Sequence, residues 1–174
     1  GYESTAHAVI ITAIRIVNCR VKWTETTWNE WGASEMYGAL RLRSDVFVVE
    51  QDCVYPDLDE KDAYSIHLVA MATDAKPGDS AHATVRLVPP GISYDEPSIG
   101  RVVTIQSSRG TGLGRELMER SIRTCQRHWP GQSIRISAQQ YLIRFYEDLG
   151  FKCAGEGYLE DGIPHIEMVR LGES

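Results

Sequence analysis

The apolar residues of this chain recur with two periods. Residues 33–50 carry Met36, Leu40 and Phe47 at helical spacing behind a capping candidate, Ser34, and predict one continuous helix. Residues 66–72 are rich in strand formers, and 81–88 set Ala81, Ala83, Val85 and Leu87 against His82, Thr84 and Arg86, the period of two of a strand. Lys76-Pro77-Gly78-Asp79 between them predicts a hairpin turn, and Pro89-Pro90-Gly91 ends the second strand. The nearly continuous Val and Ile run of 99–105 predicts a central strand.

From 112 to 128 the period returns to 3.6. Gly114, Met118, Ile122, Cys125 and Trp129 form a stripe that Leu117 widens, while Glu116 with Arg120 and Glu119 with Arg123 stand four apart on the wet face. Pro130-Gly131 stops this helix. A short strand at 133–138 follows, then a short helix with Leu142, Phe145, Tyr146 and Leu149 inside and Gly150 as its stop, then strands near 152–158 and 166–171. The order is that of an α/β domain built on one mixed sheet flanked by helices. At 174 residues without internal repeats, one domain is expected.

The apolar run of 8–14 is too short to span a membrane and lacks the flanks of a secretion signal, so it reads as an extra N-terminal strand. The four cysteines, Cys19, Cys53, Cys125 and Cys153, are scattered without metal-ligand spacing and fit reduced, buried thiols of a cytoplasmic protein; no metal is expected. A net charge of -6 argues against nucleic acid as a partner and leaves cationic, amine-bearing substrates open.

The chemistry concentrates at Arg109-Gly110-Thr111-Gly112-Leu113-Gly114-Arg115, a strand-to-helix junction. Three glycines let successive N–H groups at a helix N-terminus converge on an anion, and a pyrophosphate fits. The Gly-Lys-Ser/Thr of a Walker loop is absent, and the GxGxG spacing late in the chain is not the dinucleotide fingerprint that opens a βαβ unit.

With Arg109, Gly112 and Gly114 in that order, the junction resembles the signature of the GNAT acetyltransferases: Arg or Gln, two residues, Gly, one residue, Gly or Ala. The resemblance implies a single GNAT domain with a mixed, mostly antiparallel central sheet, and acetyl-CoA as co-substrate. It implies that the amides of Gly110, Thr111, Gly112, Leu113, Gly114 and Arg115 hold the pyrophosphate, and that backbone groups of Val102, Val103 and Thr104 pair with the pantetheine arm. Gln139 and Phe145-Tyr146-Glu147-Asp148-Leu149-Gly150-Phe151 match a second family element, with Gln139 in place of the usual Asn. In the family the tyrosine protonates the departing thiolate, which assigns Tyr146 as general acid; a core aromatic is its structural alternative. The segments 42–51, 99–103 and 161–166 are similar to the ElaA family within GNAT, over residues 37–168; residues 1–18 lie outside the resemblance.

An amine must lose its proton before it attacks a thioester. Glu50, His67, His165 and the acidic run that holds Asp59 and Asp62 are the candidates for a base, and nothing in the sequence chooses among them. The run 57–62 reads as a solvated loop, or else as an attractor for a cationic acceptor. The expected function is N-acetylation of a primary amine on a small molecule or peptide, with neither membrane nor nucleic acid involved; a homodimer is compatible with it. Two alternatives stand beside it: a non-catalytic module that binds CoA or a partner, and an acyl-homoserine-lactone synthase, against which the intact glycine loop weighs.

Overall fold

The computed structural model describes residues 20–172; the 8–14 run, the extra strand expected there and Cys19 lie outside the described residues. One eight-stranded sheet organises the chain: β1 (Val21–Thr27), β2 (Ile66–Ala72), β3 (Ala83–Val88), β4 (Ser98–Thr104), β5 (Ile134–Gln139), β6 (Lys152–Cys153), β7 (Tyr158–Glu160) and β8 (Ile163–Arg170). The strands lie in the order β1-β2-β3-β4-β5-β8-β6, with β7 also on β8, so β4 is central as its Val and Ile content predicts. Every pairing is antiparallel except β4 with β5. The last expected strand before β8 is two short ones, β6 and β7, with 154–157 between them.

Strand alternation divides the core between the two faces. Leu68, Val85, Leu87, Ile99, Ile134, Ile136 and Met168 pack with Leu117, Met118 and Ile122 of α2 (Leu113–His128) and with Tyr146 of α3 (Ile143–Glu147). On the other face Val69, Met71, Ala81 and Val103 meet Trp31 and Ala39 and Leu42 of α1 (Ala33–Arg43). The stripe of α2 is as the spacing predicts, and Glu116 pairs with Arg120 at 2.8 Å. Glu119, however, pairs with Arg115 one turn earlier, at 3.2 Å, in place of the expected Arg123.

The helix expected over 33–50 is two segments. Gly32, not Ser34, takes the N-cap, and after Arg43 the chain widens into a π-helical stretch, Ser44–Glu50, whose five-residue bonds include Gln51 N–H to the Val46 carbonyl at 3.0 Å. Of the thiols among the described residues, Cys125 is buried as expected, whereas Cys153 is exposed and Cys53 half-buried.

The acidic run is the larger correction. It is not a solvated loop: Asp57 and Asp62 are buried, and so are Arg43 and Arg86. Arg43 reaches Asp57 at 2.8 Å and Asp62 at 2.7 Å; Arg86 reaches Asp59 at 2.5 Å and Asp62 at 3.1 Å; Arg101 reaches Asp57 at 2.7 Å. Three guanidinium groups thus neutralise three carboxylates, and the loop keeps little charge with which to attract a cation. Burial pushes the Asp62 carboxyl up, but hydrogen bonds and charge from Arg43, with the charge of Arg86, outweigh it and hold the group below the usual carboxylate range.

His67 belongs to the same structure. Its ring stacks on Trp31 at 3.9 Å and its Nε2–H donates to the Asp62 carbonyl at 2.9 Å. It is 1% exposed, and burial pushes its basicity down against the pull of Asp62, so it sits as a neutral internal donor. A substrate has no path to it as a base.

Removing one member of such a network strands the others. Arg43→Met leaves Asp57 and Asp62 buried with fewer partners and is expected to cost about 3–5 kcal/mol near neutral pH, measured by denaturant unfolding. The sign with pH follows from Asp62, whose lowered folded-state pKa supplies stability above the unfolded carboxylate range that is lost on acidification. The variant, already without that contribution, should therefore converge on the native protein as pH falls through the carboxylate range.

Candidate active site

The parallel pair β4 and β5 meets only at its start. Ser98 stands opposite Arg135, whose N–H bonds the Pro97 carbonyl at 3.0 Å, and no further register joins the two strands. From Gly100 onward β4 pairs with β3 alone, so its backbone groups on the β5 side have no strand partner. A bulge shapes its start: Thr84 pairs with Val103 and Arg86 with Gly100, which leaves one extra residue on β4, and Arg101 there has φ of 53°. The Arg101 guanidinium lies over Phe47 and Tyr55, 5.9 and 5.4 Å from the ring centroids, and holds Asp57, so the bulge also anchors the 53–59 loop. Burial pushes the Tyr55 hydroxyl, which donates to Asp57, up to about 12.

Val102, Val103 and Thr104 form the exit of β4, with Val102 against the α2 side of the core and Val103 against the α1 side. A short turn, Gln106–Ser108, leads to the glycine loop. Gly110 and Gly112 have φ of 76° and 92°, backbone that side chains resist, and a Cβ built on either meets nothing within 4 Å. Gly112 caps α2 without a side-chain bond, and the first intrahelical bond runs from the Glu116 N–H to the Gly112 carbonyl. The N–H groups of Leu113, Gly114 and Arg115 therefore precede the ladder, at the positive end of a 16-residue helix. Thr111 braces the loop through its hydroxyl to the Ser108 carbonyl at 2.7 Å.

Arg109 and Glu50, far apart in sequence, form a two-pronged pair at 2.5 and 2.8 Å. The hydrogen bond from Arg109 holds the Glu50 carboxyl below its usual range. With both oxygens engaged and its proton affinity reduced, Glu50 is a poor base in this arrangement and a fitting brace between the π-helical segment and the glycine loop.

Across the cleft Tyr146 is buried beside Phe145 and Phe151, with ring centroids 5.1 and 6.1 Å away. Burial, with a contribution from Tyr141, pushes its hydroxyl up to about 12, so it stays protonated throughout the neutral range. Gln139 ends β5 opposite His165 of β8. His165 donates from Nδ1 to the Ile163 carbonyl at 2.8 Å, which leaves the Nε2 lone pair available in the neutral ring. Gln139 and His165 are thus paired at the end of β5, on the face opposite the core in which Tyr146 packs, whereas Glu50 stands at the glycine loop and His67 inside the ionic network.

The sequence did not single out Tyr158, Glu160 or Ser137. Ser137 donates to Glu160 at 2.9 Å and lies 2.5 Å from the Tyr158 hydroxyl. Its position on β5, alternate to the buried Ile136 and Ala138, is the only local signal that could have placed it on this face.

An open parallel pair at the centre of the sheet followed by a glycine turn into a helix is the architecture of an acyl-CoA transferase fold. A family model described as an acetyltransferase (GNAT) domain matches residues 83–171, and the chain belongs to the GNAT family. Within that family its relatives are the ElaA and UPF0039 proteins. It is 36% identical to protein ElaA of Escherichia coli over 152 residues, 86% of this chain and 96% of that one. It is 38% identical to a UPF0039 protein of Synechocystis over 149 residues, 86% and 94% of the two chains. The crystal structure of an acyl-CoA N-acyltransferase from Pseudomonas aeruginosa superposes with a TM-score of 0.79 at 38% identity, over 87% of this chain and 99% of that one. A CoA-dependent acyl-homoserine lactone synthase, at 14% identity and a TM-score of 0.68, shares the fold alone.

Gly112→Val tests the glycine loop. A side chain at φ of 92° is expected to cost about 1–3 kcal/mol of stability, seen as a lower melting temperature, while the protein stays folded. Acetyl-CoA affinity, measured by calorimetry, should fall at least about tenfold because a side chain there distorts the left-handed turn that presents the amides of α2.

Proposed function

We propose that the protein is an acetyl-CoA-dependent N-acetyltransferase that moves an acetyl group to a primary amine by direct attack on the thioester. The open seam between β4 and β5, ending at the glycine loop, is the observation that carries this reading. In it the amides of residues 110–115 hold the pyrophosphate, with Arg109 alongside, while the edge at Val102, Val103 and Thr104 pairs with the pantetheine arm as another strand would. Gln139 contributes a polar contact from β5.

The chemistry then needs two proton movements. The acceptor ammonium loses a proton to the Nε2 of His165, directly or through water, and the free amine attacks the carbonyl carbon. The C–S bond breaks as the C–N bond is made, the coenzyme leaves with the electron pair on sulfur, and the second proton of the attacking nitrogen passes to that thiolate through water, which leaves a neutral amide and a free thiol. Tyr146 donates to that sulfur. With its own pKa near 12 and a thiol near ~8.5, complete proton transfer is uphill, so the hydroxyl acts chiefly as a hydrogen-bond donor to the developing charge.

Tyr146→Phe keeps the ring and removes the donor. It should lower kcat by about 10²-fold or less with acetyl-CoA affinity nearly unchanged, read by single-turnover kinetics on a protein of native melting temperature. An unchanged chemical rate would make Tyr146 a core aromatic only. The reading as a whole is tested by thiol release from acetyl-CoA with polyamines, amino acids, aminoglycosides and lysine peptides, followed by product mass; O-acetylated products alone would defeat it.

A further inference from the structure

We infer that Glu160 is the docking carboxylate for a positively charged acceptor, an alkylammonium that settles between Glu160 and His165. The inference rests on the acetyltransferase reading and narrows its substrate class.

The geometry is a deficit of donors. Nδ1–H of His165 is committed to the Ile163 carbonyl, so the neutral ring presents a lone pair at Nε2, and Nε2 lies 3.8 Å from Oε2 of Glu160. With the ring uncharged these are two acceptors 3.8 Å apart, and a third group with N–H donors satisfies both. The carboxylate is aimed from behind: the Tyr158 hydroxyl donates to Ser137, and Ser137 donates to the same Oε2. The Tyr158 ring also lies nearly parallel to the His165 ring, 6.1 Å away, and limits its rotation. Glu160 is about half exposed and His165 mostly covered, so an acceptor meets the charge first and the base second.

The position suits the chemistry. Ser137 and Gln139 alternate with the buried Ile136 and Ala138 on β5, beyond the Ser98–Arg135 pairing with β4, and Gln139 is paired with His165. Cys53 touches the Asp161 carbonyl at 3.9 Å, which brings the loop after the π-helical segment onto the β7–β8 turn. With Asp57, Asp59 and Asp62 committed to arginines, Glu160 supplies the charge that the sequence had suggested for that run. The step balances: the ammonium gives one proton to Nε2, the amine keeps its electron pair, and Glu160 is unchanged.

Benzylamine and aniline separate this role from a structural one, since at pH 7.5 the first is a cation and the second neutral. Glu160→Gln retains an acceptor for Ser137 and removes the charge. It should raise KM and lower kcat/KM for benzylamine at least about tenfold, and change aniline by about twofold or less, with acetyl-CoA affinity unaltered. An equal loss on both amines overturns the docking role and leaves the acetyltransferase reading intact. If the native protein binds acetyl-CoA and acetylates neither these amines nor any of the screened acceptors, that reading fails and the docking role falls with it.

Discussion

The buried exchange of charge among Arg43, Arg86, Arg101 and the carboxylates of Asp57, Asp59 and Asp62 is the constraint on which the active-site side of the molecule depends. It joins a helix, a loop, the third strand and the bulge of the fourth, from 14 to 44 residues apart along the chain. Desolvating Arg43, Arg86, Asp57 and Asp62 is costly, and their mutual pairing, with half-buried Arg101 and Asp59 at the rim, makes it tolerable. The ionic network therefore fixes positions more than it adds stability: each guanidinium admits its carboxylates in few geometries, and the loop can take only one path over the sheet.

That path decides where the cleft lies. Arg101 sits on the bulge at which β4 parts from its neighbour, and it carries the loop on the same side chain. The residue that shapes the opening of the sheet thus also sets the wall above it. The pair Arg109 and Glu50 repeats the arrangement at the far end, tying the glycine turn to the π-helical segment.

What the sequence revealed follows from the range of the forces involved. Ile66–Ala72 reads as a strand to the residue because it is buried on both faces, and α2 because its stripe is regular over four turns. The change from α to π after Arg43 was hidden, since Val46 and Phe47 still fall near helical spacing. Burial of the acidic run was hidden for a different reason: local composition reports charge density, while its neutralising partners lie on other elements. The glycine turn into α2 was legible through its spacing, and the burial of Tyr146 through the stripe it shares with Leu142 and Leu149. Glu160 was not, because what distinguishes it is a 3.8 Å separation from a histidine on a neighbouring strand, whose proton is fixed by a third residue's carbonyl.

The gap between β4 and β5 leaves two raw strand edges in the middle of the sheet, a feature that sheet proteins usually cover because it recruits stray chains. For any ligand that pairs along that seam, the folded state gains RT ln(1 + [L]/Kd) over the unfolded one. A ligand on that seam therefore lowers the fraction of unfolded, protease-sensitive chain as its free concentration rises above Kd. An unfinished sheet of this kind links its own folding equilibrium to whatever pairs along the open edge.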